Sequence, residues 1–440
     1  MARRGRPPKQ AQTLFENGVG ITAAPSATNA AEGQHDASDD EMQEQATEEP
    51  TEGSAESPDQ SQSVTNCNQL KKHLKISVYA IAKNESKFVK RWMESMKEAD
   101  EIVVLDTGST DDTVKQLTDL GAKVETKVIS PWRFDVARNE SMKLVSSDAD
   151  LLVCTDIDEI FLPGWREKLE KAWLCALEHG EHPTTGQYEY VWNFHKDGSD
   201  GTKFWYEKIH TADSGARWTH PVHEILSYGK DVQKVYCRVP GLRLEHHADP
   251  SKSRAQYLPL LEMSVKECPD DDRNMHYLGR EYMFRQRWDD AITTLRKHLT
   301  LPRAQWRAER AASMRFIAKC YGAKKDILRQ EIWLWRAVQE DTNQREAAWE
   351  LAEFAYSIKD YNLLTRACEV CLSRNERVMS YLTKAEAWGY RPWDLYCVGL
   401  WYTGHRKEAL DALEKAIALN PNDERLLKNR KIMTEAMQQR

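Results

Sequence analysis

The chain has 440 residues, 40% hydrophobic and 30% charged, with a formal net charge of −7. That length exceeds one typical core and predicts two domains plus a tail. No run approaches the ~20 apolar residues of a membrane span, the N-terminus lacks a signal-peptide core, and nine cysteines in so long a chain do not make a disulfide framework, so reduced thiols and a cytoplasmic location are expected.

Charge is unevenly spread. The first 70 residues hold four basic and twelve acidic side chains, which leaves the remainder close to neutral. From Gln10 to about Asn68 the composition is Ala, Ser, Thr, Glu, Gln and Asp with almost no aliphatic periodicity, so residues 1–70 are expected to be a disordered acidic tail. Its tip, Arg3-Arg4-Gly5-Arg6-Pro7-Pro8-Lys9, resembles the AT-hook, which enters the minor groove of A·T-rich DNA. Arginine suits a narrow groove of enhanced negative potential and glycine allows close backbone approach, which makes Arg4, Gly5, Arg6 and Pro7 candidate DNA contacts. The competing reading is a solvated basic start to a tail.

Ordered structure is expected from about Leu70. Lys75 to Ala82 is an apolar run of strand length, and Phe88, Val89, Trp92, Met93 and Met96 then fall on one helical face. Glu101 to Asp106 reads as the next strand, and Asp111 to Leu120 as a helix with acidic residues at its start, ended by Gly121. Ala122 to Val128 alternates as a third strand, Val136 to Val145 reads as a helix, and Asp150 to Thr155 as a fourth strand. Alternation of this kind predicts an α/β domain with a mostly parallel sheet.

Two acidic turns follow the second and fourth strands: Asp106-Thr107-Gly108-Ser109-Thr110-Asp111-Asp112-Thr113 and Asp156-Ile157-Asp158-Glu159. Ligands of open α/β sheets bind at the carboxyl ends of strands, and a close acidic pair there can hold a divalent cation against a diphosphate. Asp156 and Asp158 are two residues apart, so one can face a ribose while the other binds the cation.

These two turns, with Ala82-Lys83-Asn84-Glu85 and Trp132-Arg133-Phe134-Asp135-Val136-Ala137-Arg138-Asn139, resemble the catalytic half of family 2 glycosyltransferases. The resemblance runs from Ile76 to Trp165, in family order and spacing, and is strongest to the branch in which the domain precedes tetratricopeptide repeats. It implies a GT-A fold and transfer from a nucleotide-sugar, with a UDP-sugar expected. It implies donor contacts from Lys83, Asn84, Glu85, Asp106, Arg138, Asn139 and Asp156, and Mn²⁺ or Mg²⁺ on Asp158 with Asp156. His246 or His247 is the further ligand, neutral imidazole being a good metal donor. Arginine can support pyrophosphate charge. Inverting transfer requires a base opposite the diphosphate; Glu224 is the candidate and His223 the second, against a purely bracing role for both. The Glu-Asp pair usual after the acidic motif in this family is not visible.

Tyr188, Tyr190, Trp192 and Phe194 alternate along one strand. The face is read chiefly as core rather than an acceptor platform, with Trp218 kept as a site candidate. After about Pro250 the pattern is helical. Met275, Leu278, Gly279, Tyr282, Ala291 and Leu295, and later Trp393, Ala409, Leu413, Ala416 and Pro421, follow tetratricopeptide offsets, and four helical pairs are expected. Cys368 and Cys371 read as core packing rather than zinc ligands.

The expected organisation is a tail over 1–70, a GT-A domain over 71–250 and an all-α repeat domain over 251–440. The expected activity is metal-dependent, inverting sugar transfer to a macromolecule, with a peptide or protein acceptor favoured, as in the peptide S-glycosyltransferases the resemblance includes. Modified bases in DNA are the alternative acceptor. A different class also stands: a repeat scaffold carrying a relic sugar-nucleotide domain. The repeats could further serve homodimerisation.

Overall fold

The structure is a computed structural model that describes residues 21–23, 73–195, 198–249 and 255–438. The described residues fall into two compact units. One holds 73–274 with 379–381, and the other holds 21–23, 275–378 and 382–438. The AT-hook-like residues Arg4, Gly5, Arg6 and Pro7 lie outside the described residues.

The first unit is α/β. Strand β1 (Ile76–Ala82), helix α1 (Ser86–Met96), β2 (Glu101–Asp106), α2 (Thr113–Asp119), β3 (Lys123–Thr126), α3 (Phe134–Met142) and β4 (Leu151–Cys154) alternate as the periodicity predicts. They are followed by β5 (Glu159–Phe161), α4 (Trp165–Glu178), β6 (Thr185–Val191), β7 (Lys203–Thr211), β8 (Arg217–Thr219), β9 (Ile225–Ser227), β10 (Tyr236–His246) and α5 (Tyr257–Glu267). The main sheet has the order β3-β2-β1-β4-β7-β6-β10-β5, and β8 and β9 pair separately. Strands β1 to β4 are mutually parallel, as are β6 and β10, whereas β7 is antiparallel to both its neighbours. The sheet is mostly parallel, as a GT-A domain requires.

Helix α1 buries Val89, Trp92, Met93 and Met96, spaced three and four residues apart so that one face covers the sheet. The Trp92 indole is placed by its Nε1–H, which donates to Thr155 Oγ1 at 3.1 Å. Helix α2 differs from expectation at its start, because no acidic residue lies in its first turn. Asp111 instead bridges two segments, accepting from the backbone amides of Thr113 at 3.0 Å and Ser86 at 3.2 Å. The aromatic stripe is core: Tyr188, Tyr190 and Trp192 are all buried.

The second unit is all α. Among the described residues four helical hairpins follow one another: α6 (Asp272–Phe284) with α7 (Trp288–His298), α8 (Arg307–Ala323) with α9 (Ile327–Glu340), α10 (Glu346–Ser357) with α11 (Tyr361–Leu372), and α13 (Arg391–Thr403) with α14 (Arg406–Leu419). A short α12 (Ala385–Trp388) precedes the last pair and α15 (Glu424–Gln438) ends the array. Gly279 explains the close approach of α6 and α7, since a Cβ there would lie 2.5 Å from Leu295 Cγ and 3.2 Å from the Leu295 backbone nitrogen. Cys368 and Cys371 are fully buried in this core, and burial pushes the Cys371 thiol up to about 12.

One segment corrects the expectation of disorder throughout 1–70. Ile21 and Ala23 are buried in the repeat core. Small apolar side chains spaced two apart let a short extended stretch bury one face, which an average over the polar tail conceals.

Candidate active site

Parallel pairing sets the site's location. Ala82 is paired with Asp106 and Tyr79 with Cys154, so Lys83-Asn84-Glu85, Asp106 and Asp156 emerge at one edge of the sheet, the edge where such sheets bind ligands. Strand β7 places Ile209 opposite Val153, which brings Lys208 to the carboxyl end of β4. Strand β10 pairs His246 with Glu159, which brings His246 beside Asp158. Residues scattered over 160 positions thus meet through four strand registers.

The loop after β2 is built by its own polar groups. Asp106 is buried and accepts from the amides of Gly108 and Ser109, each at 3.1 Å. Asn84 takes a positive φ of 57°, and its Oδ1 accepts from the Thr110 amide at 2.8 Å. The Glu85 amide donates to Thr113 Oγ1 at 2.7 Å. Asp106 and Asn84 therefore shape the loop with their polar atoms, and Lys83 is exposed.

Behind Asp156 lies a buried charge network. Arg138, on α3, places NH1 3.0 Å from Asp156 Oδ1, donates from Nε to Glu224 Oε1, and lies over the Trp218 ring at 5.2 Å. Lys208 is fully buried, with Nζ 2.9 Å from Asp156 Oδ2 and 3.5 Å from Glu159 Oε1. Glu159 accepts from the Asp156 amide at 2.8 Å and from the Tyr190 hydroxyl at 2.7 Å. Burial opposes ionisation of Asp156, but Arg138 and Lys208 outweigh it and hold its carboxyl well below the usual carboxylate range. Asp156 keeps 27% of its side chain exposed, so the ionised group faces the open edge.

His246 and His247 separate clearly. His246 Nδ1 lies 3.1 Å from the Trp192 carbonyl, which can only accept, so Nδ1 donates there and orients the ring. Its Nε2 is 3.8 Å from Asp158 Oδ2. A backbone carbonyl orienting a histidine in this way is the usual outer shell of a metal ligand. His247 stacks its ring on Phe194 at 5.3 Å and places Nε2 3.4 Å from Glu245 Oε2, while its backbone amide donates to the Asp158 carbonyl at 3.0 Å.

Four of the expected site residues are buried or bonded to protein groups. Glu224 is 2% exposed and its carboxylate is paired with Arg138. His223 is equally buried, against Tyr257 at 5.8 Å. The Asn139 amide bonds both backbone groups of Trp218, donating to its carbonyl at 2.8 Å and accepting from its N–H at 2.9 Å, so it holds β8. Trp218 itself is buried and donates to the Tyr79 hydroxyl at 2.9 Å. It is a wall behind Arg138.

Lys208 and Glu159 are the participants that motif reading passed over. A signal exists for Lys208: with Glu207 it interrupts the apolar and aromatic residues of Phe204-Trp-Tyr-Glu-Lys-Ile209, and a lysine inside such a strand requires a buried partner.

Arg138 and Lys208 face three carboxylates, those of Asp156, Glu159 and Glu224, while Asp158 lies beside His246 and interacts electrostatically with Arg91. Asp158 with His246 is the pair suited to a divalent cation, because hard cations at such sites take one or two protein ligands and complete their shell with phosphate oxygens and water.

Residues 77–218 match the family described as Glycosyl transferase family 2. An uncharacterized glycosyltransferase of Rickettsia conorii is 52% identical over 59 residues, 13% of this chain and 20% of that protein. One of Rickettsia bellii is 35% identical over 97 residues, 22% of this chain and 32% of that protein. A TPR repeat-containing protein of Synechococcus elongatus is 34% identical over 95 residues, covering 21% of this chain and 23% of that protein. The chain thus spans about a fifth to a third of the length of these curated relatives. Among solved structures, that of MamA covers 37% of this chain and 81% of its own at 18% identity, with a TM-score of 0.30. Residues 77–218, whose strand ends assemble this acidic edge, belong to glycosyl transferase family 2.

Proposed function

We propose that this chain transfers a sugar from a nucleotide-sugar donor, in the first instance a UDP-sugar, to a macromolecular acceptor, with a peptide or protein favoured. The observation that carries the reading is the Asp158–His246 pair standing beside an Asp156 kept ionised by Arg138 and Lys208. The loop shaped by Asn84 and Asp106 receives the nucleoside, and Asp156 accepts from the ribose. Asp158 and His246 hold Mn²⁺ or Mg²⁺, which when bound offsets the charge of the nucleoside diphosphate leaving group. Arg138 and Lys208 act one step behind, by fixing the carboxylate that faces the ribose.

Incubation of the full chain with a panel of nucleotide-sugars and Mn²⁺, read as donor hydrolysis and as mass gain on peptide and DNA acceptors, tests this. Asp158→Ala should abolish turnover and His246→Ala should weaken Mn²⁺ binding by loss of a ligand, whereas His247→Ala should leave Mn²⁺ affinity unchanged. Turnover that survives Asp158→Ala would defeat the metal assignment, and no turnover with any donor would favour a scaffold role.

A further inference from the structure

The ordered tail segment Ile21–Ala23 is held by the repeat unit in a specific manner. Tyr402 donates its hydroxyl to the Ile21 carbonyl at 3.2 Å, and the Ala23 amide donates to the Tyr356 hydroxyl at 3.2 Å. The Thr22 carbonyl accepts twice, from Asn429 Nδ2 at 2.7 Å and from Arg425 NH1 at 2.6 Å. Ile21 and Ala23 are 3% and 6% exposed, while Thr22 is exposed. This is the alternation of an extended strand with one face buried.

The receiving groups are braced independently of the segment. Arg425 is oriented by two bonds to Asp394, at 2.9 and 2.8 Å, and Asp394 is 1% exposed. Tyr402 is stacked on Tyr361 with ring centroids 4.4 Å apart. Asn429 is 2% exposed and sits one helical turn beyond Arg425 on α15, so the two project along one face.

We propose that α10, α13 and α15 form a binding site for an extended peptide with apolar side chains at alternate positions, and that Ile21–Ala23 is its intramolecular occupant. All four hydrogen bonds go to main-chain atoms of the segment, so nothing but the alternation restricts the sequence. A second peptide of the same pattern makes the same bonds, as in strand-like recognition, where main-chain bonds supply affinity and alternate pockets supply specificity. A tethered occupant competes at an effective concentration on the order of mM. External peptides therefore enter only when the segment is displaced, and the tail sets the threshold for what the repeats bind.

The test uses the full chain and a fluorescent synthetic peptide of residues 17–27 as probe, read by anisotropy without any donor sugar, so it is independent of the transferase activity. Ile21→Asp places a charge in the apolar position and should vacate the site, raising probe affinity at least tenfold over wild type. Adding Asn429→Leu should reverse that gain at least tenfold. Tyr402→Phe, which removes one hydroxyl and no ring, should reverse part of it while leaving the thermal melt unchanged. In wild type the Ala23 amide should be protected from hydrogen exchange. Equal probe affinity for wild type and Ile21→Asp, absence of binding to both, or fast exchange at Ala23 would overturn the proposal. Protection at Ala23 accompanied by a concentration-dependent dimer would assign the occupant to a second copy and overturn its intramolecular form.

Discussion

Arg138 is the residue on which the buried part of the site depends. It is 1% exposed and joins Asp156, Glu224 and the face of Trp218. Removing one member of such a network leaves its partners charged and unpaired in a low dielectric, which costs more than the pair contributes when intact. Arg138→Met should therefore destabilise the chain by about 3–5 kcal/mol in urea unfolding, and the double variant Arg138→Met, Glu224→Gln should recover part of the loss, because the orphaned carboxylate is then neutral. If the double variant is no more stable than the single one, Glu224 is not the partner that matters. Motif reading identified Arg138 and Asp156 because residue types in their motifs are visible in order along the chain. Burial is not, and it is burial that shows the Glu224 carboxylate paired with Arg138.

Single positions in whole elements decide how the repeats stack. The offset of Gly279 from Ala291 and Leu295 was legible, since helix packing repeats at three and four residues. What only coordinates supply is the size of the gap. With Leu295 Cγ at 2.5 Å and its backbone nitrogen at 3.2 Å from a built Cβ, the side chain alone cannot relieve the contact. Gly279→Val should cost about 1–3 kcal/mol by overpacking, seen as a lower Tm, while Gly404→Ala is a poor control because Gly404 has a φ of 95°. A Gly279→Val chain that melts like wild type would mean that α6 and α7 do not pack as described. The tail shows the opposite case. Its polar composition predicted no element at all, yet Ile21 and Ala23 are buried, because three residues are too few to register in any average over 70.

Across the molecule, stability should depend on pH through groups held in one protonation state. His210 is buried, donating from Nδ1 to the Thr211 carbonyl and accepting at Nε2 from the Tyr79 hydroxyl at 3.0 Å. Burial lowers its pKa from 6.5 to about 4. The unfolded chain thus binds a proton before the folded one does, so the His210 contribution is complete above about pH 6.5 and is lost as pH falls toward 4, up to roughly 3 kcal/mol. Asp111, lowered to about 2 against burial by bonds from Thr113 and Ser86, adds its loss only below pH 4. Urea midpoints measured from pH 7 to 4.5 should fall, and His210→Gln should flatten that fall. An unchanged slope would place the acid sensitivity elsewhere. No helix among the described residues is long and apolar enough to cross a membrane.

The sequence by itself determined the order of the first four strands and three helices, the resemblance of this region to a glycosyltransferase family and the acidic turns, because these depend on periodicity and on residue types at short spacing. The tertiary structure decided which histidine faces Asp158, that Lys208 stands behind Asp156, that Glu224 is paired, and that Ile21–Ala23 occupies the repeats. Each of these rests on strand register or on burial between segments tens to hundreds of residues apart, and a one-residue change of register would turn the strand residues Lys208 and His246 to the other face.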